Sequence, residues 1–330
     1  MEPVDWQALE RLRRAFIEGT AGAADYWQSD SDLLSYDLTF AQRIGWKWDF
    51  VLEELKRRGW CPPEGTVLDW GCGSGIAGRA FVGMFGAERV SRLHCADRST
   101  LAVRYATRRA REKHPGLDVA AGGVSAPVVL LLSHVLPELS PGQTESLLSL
   151  AEQAQCVLWV EPGDYESSLA LIAVRERLRE CFEIVAPCPH RHRCGVLEPG
   201  NESHWCHHFA TPPGFVFHDA DWSRFANEME IDLRSLPVSY LVLDRRPAPV
   251  LPADAVRILG RPRVEKPFAR VLACHTSGEL TECHITKRRL PAVYHRFRKG
   301  RWDSLQSFRR AGGEIESLHD VLPVPAGPNH

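Results

Sequence analysis

No run of apolar residues in this chain approaches the roughly 18–20 needed to cross a bilayer, and no membrane association is expected. Charge of one sign is lacking too. Forty Lys/Arg against 42 Asp/Glu leave a formal net charge of −2 over 330 residues. The molecule is not a polycation, so any nucleic-acid contact must come from a local patch. There are no internal repeats. Nor does the N-terminus, MEPVDWQALERLRRAF, resemble a signal peptide or an Arg/Ser-rich transit peptide. Its acidic residues and the spacing of Trp6, Leu9 and Phe16 read as a helix. A cytoplasmic location follows by default, bacterial on this reading, and mitochondrial if the source is eukaryotic. Two catalytic signatures are missing as well. There is no Asn/Asp-Pro-Pro-aromatic segment to grip an exocyclic amine. After the strand at 127–133 there is no Pro-Cys to supply a nucleophile for carbon-5 attack.

What is present is an ordinary globular composition, 44% hydrophobic and 25% charged. Helices are expected at 5–18 and 41–58. From residue 66 strands alternate with helices of 10–15 residues: strands at 66–70, 92–97, 127–133, 155–160 and 182–186, helices at 76–85, 99–113, 142–154 and 166–181. That alternation predicts βαβ units and a mainly parallel sheet covered on both faces. It breaks at Pro187. Residues 187–220 are rich in Pro, Cys, His and Gly without a period. A strand at 239–244 could then complete the sheet. Short strands at 256–259, 269–274 and 280–286 suggest a small β-rich module. The expected organisation is a helical segment at 1–60, an α/β domain at 61–246 with a Cys-rich insertion at 187–220, a basic β-rich module at 247–312, and a loose tail at 313–330.

The strand at 66–70 runs into Asp69-Trp70-Gly71-Cys72-Gly73-Ser74-Gly75. Glycines permit positive φ and close ligand approach. The following helix N-terminus favours polar or anionic groups. Asp97, 22 residues after Gly75, ends the next strand, where a carboxylate can accept two ribose hydroxyls. This pattern suits S-adenosylmethionine (SAM), with Asp69 available to an amino group. A rival exists, because Gly73–Gly78 also fits the dinucleotide fingerprint G-x-G-x-x-G. The strand ends at Trp70, however, so the turn begins at Gly71. Ser133-His134-Val135-Leu136-Pro137-Glu138 follows the fourth strand, where a substrate or the cofactor can be held. Ser133 is assigned to the cofactor, and His134 is a candidate general base. Glu161 ends the fifth strand. For His134 and Glu161 the plainer reading, a polar residue at a strand end, is the favoured one.

Ten cysteines in a cytoplasmic chain are not expected to form a disulfide framework. Cys61, Cys72, Cys95, Cys156, Cys181 and Cys283 read as small buried hydrophobes. Cys188, Cys194 and Cys206 lie in the irregular stretch with His190, His192, His204 and His207. Thiolates ligate zinc or iron–sulfur clusters, and a metal would order a segment with little core of its own. Three cysteines need a fourth ligand. The candidates are Cys274, Cys283, His190, His192 and His207. Residues 255–301 hold twelve Lys/Arg and three Glu. Lys287, Arg288, Arg289, Arg296, Arg298, Lys299 and Arg301 are the densest part, with Tyr294, Phe297 and Trp302 among them. Cations neutralise phosphates and aromatics can stack on bases. Equally, the aromatics could be core.

Taken together, VLDWGCGSG, LPEL, VEPG, APCPH, WCHHF, SYLVL and the late ITK and RW elements resemble the small-ribosomal-subunit assembly family that includes methyltransferase-like protein 17 and its bacterial relatives. The resemblance runs from about residue 40 to 303. It implies an α/β fold: a Rossmann-like class I methyltransferase sheet with an inserted Cys-rich metal module and a small β-rich C-terminal module. It implies SAM as cofactor and a 4Fe–4S cluster on Cys188, Cys194, Cys206 and Cys274, zinc being the alternative. The family's fourth cysteine ends a late strand shortly before a turn glycine, which matches Cys274 and not Cys283. Small-subunit ribosomal RNA is the implied partner. The expected activity is SAM-dependent methyl transfer, with two alternatives. One is an assembly factor holding SAM and the cluster structurally. The other is a small-molecule methyltransferase with a zinc site. The loop GVLEPGNESHW between Cys194 and Cys206, and His208 after the Cys-His pair, depart from the family pattern.

Overall fold

The computed structural model describes residues 4–18 and 26–321. Three helices open the chain: α1 (Trp6–Ile17), α2 (Asp30–Leu38) and α3 (Phe40–Arg57). Asp5 and Ser29 cap the first two by accepting the Ala8 and Asp32 amides, donors that no carbonyl within the helix can reach. The apolar face of α3, with Ile44, Trp48, Val51, Leu52 and Leu55, is buried in the main core with Val67, Val129 and Leu131. The third helix of the segment 1–60 is thus part of the sheet's own packing.

Strand and helix then alternate through β1 (Gly65–Trp70), α4 (Ile76–Phe85), β2 (Val90–Ala96), α5 (Thr100–Lys113), β3 (Val119–Ala121), β4 (Val129–Ser133), α6 (Pro141–Ala151), β5 (Cys156–Pro162), α7 (Tyr165–Leu178) and β6 (Glu183–Ala186). Strands covered on both faces read as unbroken apolar runs. Accordingly Val129–Leu132 and Cys156–Val160 are buried throughout. Between β6 and the next sheet strand lie β7 (His208–Phe209), in the irregular stretch, and α8 (Ala220–Glu228) after it. Then β8 (Pro237–Asp244) inserts antiparallel between β5 and β6. The strand order is β3-β2-β1-β4-β5-β8-β6, with β7 pairing β8. The chain leaves β1 toward β2 and β3, then returns to β4 on its other side. A crevice therefore opens where the carboxyl ends of β1 and β4 diverge.

The last part is the expected β-rich module, closed into a barrel. β9 (Ala255–Val264), β10 (Phe268–His275), β11 (Leu280–Thr286), α9 (Pro291–Arg298), β12 (Leu305–Ala311) and β13 (Glu314–Asp320) follow in the chain. The strands close in the order β10-β11-β13-β12-β9. β11 and β13 pair in parallel and the other neighbours antiparallel. This corrects the expected loose tail. Residues 314–320 are a strand, and closure leaves no free edge. Its buried residues, Ile315 and Leu318, stand three apart, and the β12–β13 register shifts at Arg309/Arg310, so no period of two was visible. Residues 322–330 of that tail lie outside the described residues.

A buried ionic knot joins barrel and sheet. Arg257 donates to both oxygens of Glu54 at 3.0 and 2.6 Å. Arg58 donates to Glu54 at 2.9 Å, and the Tyr240 hydroxyl donates to Glu54 Oε2 at 2.7 Å. Arg257 also donates to the Pro187 carbonyl at 2.9 Å. Burial alone would raise the Glu54 carboxyl, but the two guanidiniums outweigh it and hold it well below the usual range. No helix among the described residues is long and apolar enough to cross a membrane.

Candidate cofactor crevice and cysteine cavity

Gly71, Gly73 and Gly75 all have positive φ, at 68°, 50° and 79°. A Cβ on Gly71 would stand 2.7 Å from Val135 Cγ1, and one on Gly75 2.8 Å from Ala106 Cβ. One on Gly73 would meet nothing within 4 Å. The outer glycines therefore pack the loop against β4's exit and α5, while the middle one faces open space. Asp97 Oδ2 accepts the Gly73 amide and Oδ1 the Ser99 amide, both at 2.9 Å. The carboxylate is thus fixed at the loop's rim. Asp69 Oδ2 accepts the Gly78 amide at 2.9 Å, while its buried Oδ1 has no partner. Burial pushes this carboxyl up to about 7, opposed by the Gly78 amide and Arg79. Gly78, the third glycine of the rival fingerprint, lies inside α4, where a Cβ would stand 3.0 Å from Asp69 Oδ2 and 3.3 Å from Leu93.

The β4 end is held from α3. Ser133 Oγ accepts Trp48 Nε1 at 2.9 Å. His134 has φ 55°, unusual for a non-glycine, and its Nε2 lies 3.4 Å from Lys47 Nζ. Burial, then Arg43, brings the Lys47 ammonium down to about 7. Burial, then Lys47, keeps His134 well below its ordinary value. Glu161, fully buried, accepts the Val135 and Leu136 amides at 3.1 Å and Trp159 Nε1 at 2.7 Å through Oε1. Its Oε2 has no partner, and burial raises the carboxyl to about 7. Lys47 and Trp48 were not anticipated. They sit on a helix whose period signalled only burial, although a lysine among apolar residues was a readable exception.

The four candidate metal ligands converge. Cys188, Cys194, Cys206 and Cys274 line one cavity with His190 and Arg257. Three come from the irregular stretch, and Cys274 comes from β10. Cys283 instead lies in the barrel core. Arg175 Nε donates to Cys188 Sγ at 3.2 Å, and His190 Nε2 lies 3.3 Å from Cys274 Sγ. Burial, then Cys188, raises the Cys194 thiol to about 11. Among the described residues no three His, Cys, Asp or Glu form a group that could hold one metal ion. Two expected buried thiols, Cys61 and Cys181, are exposed. Both lie in loops, Cys61 between α3 and β1 and Cys181 between α7 and β6, where an apolar neighbourhood in sequence is not one in space.

The basic tract divides. Arg289 pairs with Glu314 and Glu316, and Arg296 with Asp320. Lys287 and Arg288 are exposed on the β11–α9 turn, and Arg298, Lys299 and Arg301 at the end of α9. Tyr294 and Phe297 are each 3% exposed in the barrel core, so the stacking role considered for them is closed off. Trp302 packs partly on the same core.

Sheet order, reversed penultimate strand and glycine turn together define a Rossmann-like methyltransferase fold. Within that class, the chain belongs to the family described as mitochondrial small ribosomal subunit Rsm22, whose profile matches residues 52–306. A search of curated proteins finds no match. Solved structures similar to the chain include magnesium protoporphyrin IX methyltransferase ChlM from Synechocystis with bound SAH, at 12% identity, TM-score 0.38, 73% of this chain and 100% of that one. The plantazolicin methyltransferase BpumL in complex with SAH gives the same four values. A ribosomal protein L11 methylase from Lactobacillus delbrueckii subsp. bulgaricus reaches 19% identity and TM-score 0.29 over 42% of this chain and 69% of that one.

Proposed function

We propose that this chain is a SAM-dependent methyltransferase acting on RNA of the small ribosomal subunit. The observation that carries the SAM reading is the Gly71–Gly75 turn, with its middle glycine facing open space beside the fixed Asp97 carboxylate. The donor set suits the ligand. Loop amides would meet its carboxylate, Asp97 its ribose, and the unpartnered Asp69 oxygen a nearby donor. Bound SAM would supply an electrophilic methyl group on sulfonium sulfur. The chain's own part is to orient it and exclude water. The ribosomal reading rests on the family and on the exposed cations of the barrel.

Four thiols around one cavity support an iron–sulfur cluster there, zinc being the alternative. Arg175 and Arg257 stand beside those thiols and would balance the negative charge of a thiolate-ligated cluster. Cys188, Cys194, Cys206 and Cys274 would hold it, and a buried cluster there would pin the irregular stretch to the barrel.

A non-catalytic assembly factor is the second reading. It is favoured by one feature: Ser133 and His134, at the usual acceptor position, are already engaged by Trp48 and Lys47. Anaerobically purified protein, offered radiolabelled SAM and small-subunit particles, separates the readings. Methyl label in RNA that disappears in Asp97→Asn supports the enzyme. SAM binding without any transfer supports the second reading, and no SAM binding sinks both. The same preparation should be brown, with iron and acid-labile sulfide in equal amounts. Colourless protein with stoichiometric zinc would reject the cluster.

A further inference from the structure

The barrel has a specific topology. Its strands close as first-second-third-fifth-fourth, the third and fifth are parallel, and a helix lies between the third and fourth. That is the five-stranded oligonucleotide/oligosaccharide-binding barrel, whose second and third strands offer an outer face to ligands. Here those strands are β10 and β11. Residues directly opposite on paired strands share a face, so the register lays out the outer surface of β9, β10 and β11 in rows.

Two rows are covered. Cys274 pairs with Arg257 and Leu280, and Leu272 with Leu259 and Glu282. Leu259, Leu272, Cys274 and Leu280 pack with Cys194 and Val196 of the irregular stretch. The next two rows are free. Arg270 pairs with Arg263 and His284, and Phe268 with Thr286. Arg270 lies over the Phe268 ring at 5.3 Å, and the His284 ring is 6.5 Å from it. The turns at this end add cations: Lys266 lies between β9 and β10, and Lys287 donates its amide to Pro267 at 2.8 Å. Arg263, Lys266, Lys287 and Arg288 are exposed and have no ion-pair partner among the described residues. The acids nearby are engaged: Glu265 and Glu282 by Arg270, Glu314 and Glu316 by Arg289.

We infer that the free end of this face, Arg263, Lys266, Phe268, Lys287 and Arg288, binds single-stranded RNA. The cations track the phosphates and a base stacks on Phe268 beside His284. This rests on the RNA reading above and narrows it to one surface. Charge and chemistry select the partner. Unpaired cations around a half-buried ring fit phosphates spaced by stacking bases. A duplex hides its base faces and would use only the cations.

Fluorescence anisotropy with the full chain tests this, using a single-stranded RNA 12-mer, a duplex of the same sequence, and inorganic polyphosphate. Arg263→Glu/Lys266→Glu/Lys287→Glu should weaken single-strand binding at least about tenfold. It should also flatten the salt dependence by about 0.7 per lost phosphate contact. Phe268→Ala should weaken it about tenfold with the salt slope unchanged, as loss of one stack predicts. Arg298→Glu/Lys299→Glu/Arg301→Glu, about one helix length (~12 Å) further along α9, should weaken binding less than the first triple does. If that second triple abolishes binding while the first does not, RNA binding stands and this assignment fails. Polyphosphate or duplex bound as tightly as the single strand, with Phe268→Ala silent, also overturns it. A wild-type chain that binds no RNA ends both readings. Retained SAM binding by each variant checks that it is folded.

Discussion

At the scale of single residues, the crevice depends on side chains that do two things at once. Asp97 fixes the Gly73 amide and, in the proposed function, is also the carboxylate that would meet a ribose. Asp97→Asn keeps one carbonyl acceptor but loses the charge. It should weaken SAM binding by about 1.5–3 kcal/mol, roughly 10–100-fold by calorimetry, with the circular dichroism spectrum unchanged. Asp69 makes a pH prediction. Its folded value, about 7, lies above the unfolded carboxylate value of 3.8. Its stabilising contribution is therefore full below 3.8 and lost as pH rises through 7. Between pH 5.5 and 7.5, wild type should lose about 1–2 kcal/mol of urea stability that Asp69→Asn does not lose. Equal losses in both proteins would assign the trend elsewhere. Asp69, Gly71, Gly73, Gly75 and Asp97 were legible because turn chemistry is local: a glycine spacing and one acid at a strand end. The pairing of Lys47 with His134 was not, since the two are 87 residues apart and meet only through the packing of α3 on the sheet.

At the scale of elements, the irregular stretch is defined by what it packs on. It carries three of the four cysteines of the cavity, and β10 presents the other on the barrel's outer surface. Cys274 and Cys283 both sit on barrel strands, but on opposite faces. Cys274→Ser should lose most bound iron, measured per chain after anaerobic purification. Cys283→Ser should keep it, because that thiol sits in the barrel core. The reverse result would show that the ligand set is misassigned. Sequence spacing alone left both cysteines and three histidines open. The choice is one of face, and face follows from strand register, which the turn residues did not disclose. β13 was hidden for a related reason: its two core residues are three apart, and only the barrel's bulged register brings both inward.

At the scale of the whole molecule, the Glu54 knot ties α3, the sheet strand β8 and the barrel into one unit. Removing Glu54 leaves the Arg58 and Arg257 guanidiniums buried without their carboxylate, which costs about 3–5 kcal/mol. Glu54→Gln should show that loss in chemical denaturation. Arg257→Met should lose less, since Glu54 keeps Arg58 and Tyr240. A Glu54→Gln protein as stable as wild type would mean that the knot contributes no net stability. Arg257 also reaches the Pro187 carbonyl beside Cys188, so Arg257→Met should lower the iron content expected of the proposed cluster.

The sequence by itself determined the alternation of elements, the glycine turn with its acid on the next strand, and the family. Each is written in neighbouring residues: apolar runs, positive-φ glycines, short motifs. Tertiary structure alone decided that the C-terminal strands close into a barrel, and which cysteine faces the cavity. It also decided which cations stay free and which pair with Glu314, Glu316 or Asp320. Those outcomes depend on register and on contacts between residues far apart in the chain. A linear pattern carries the period of a strand but not the partner it meets.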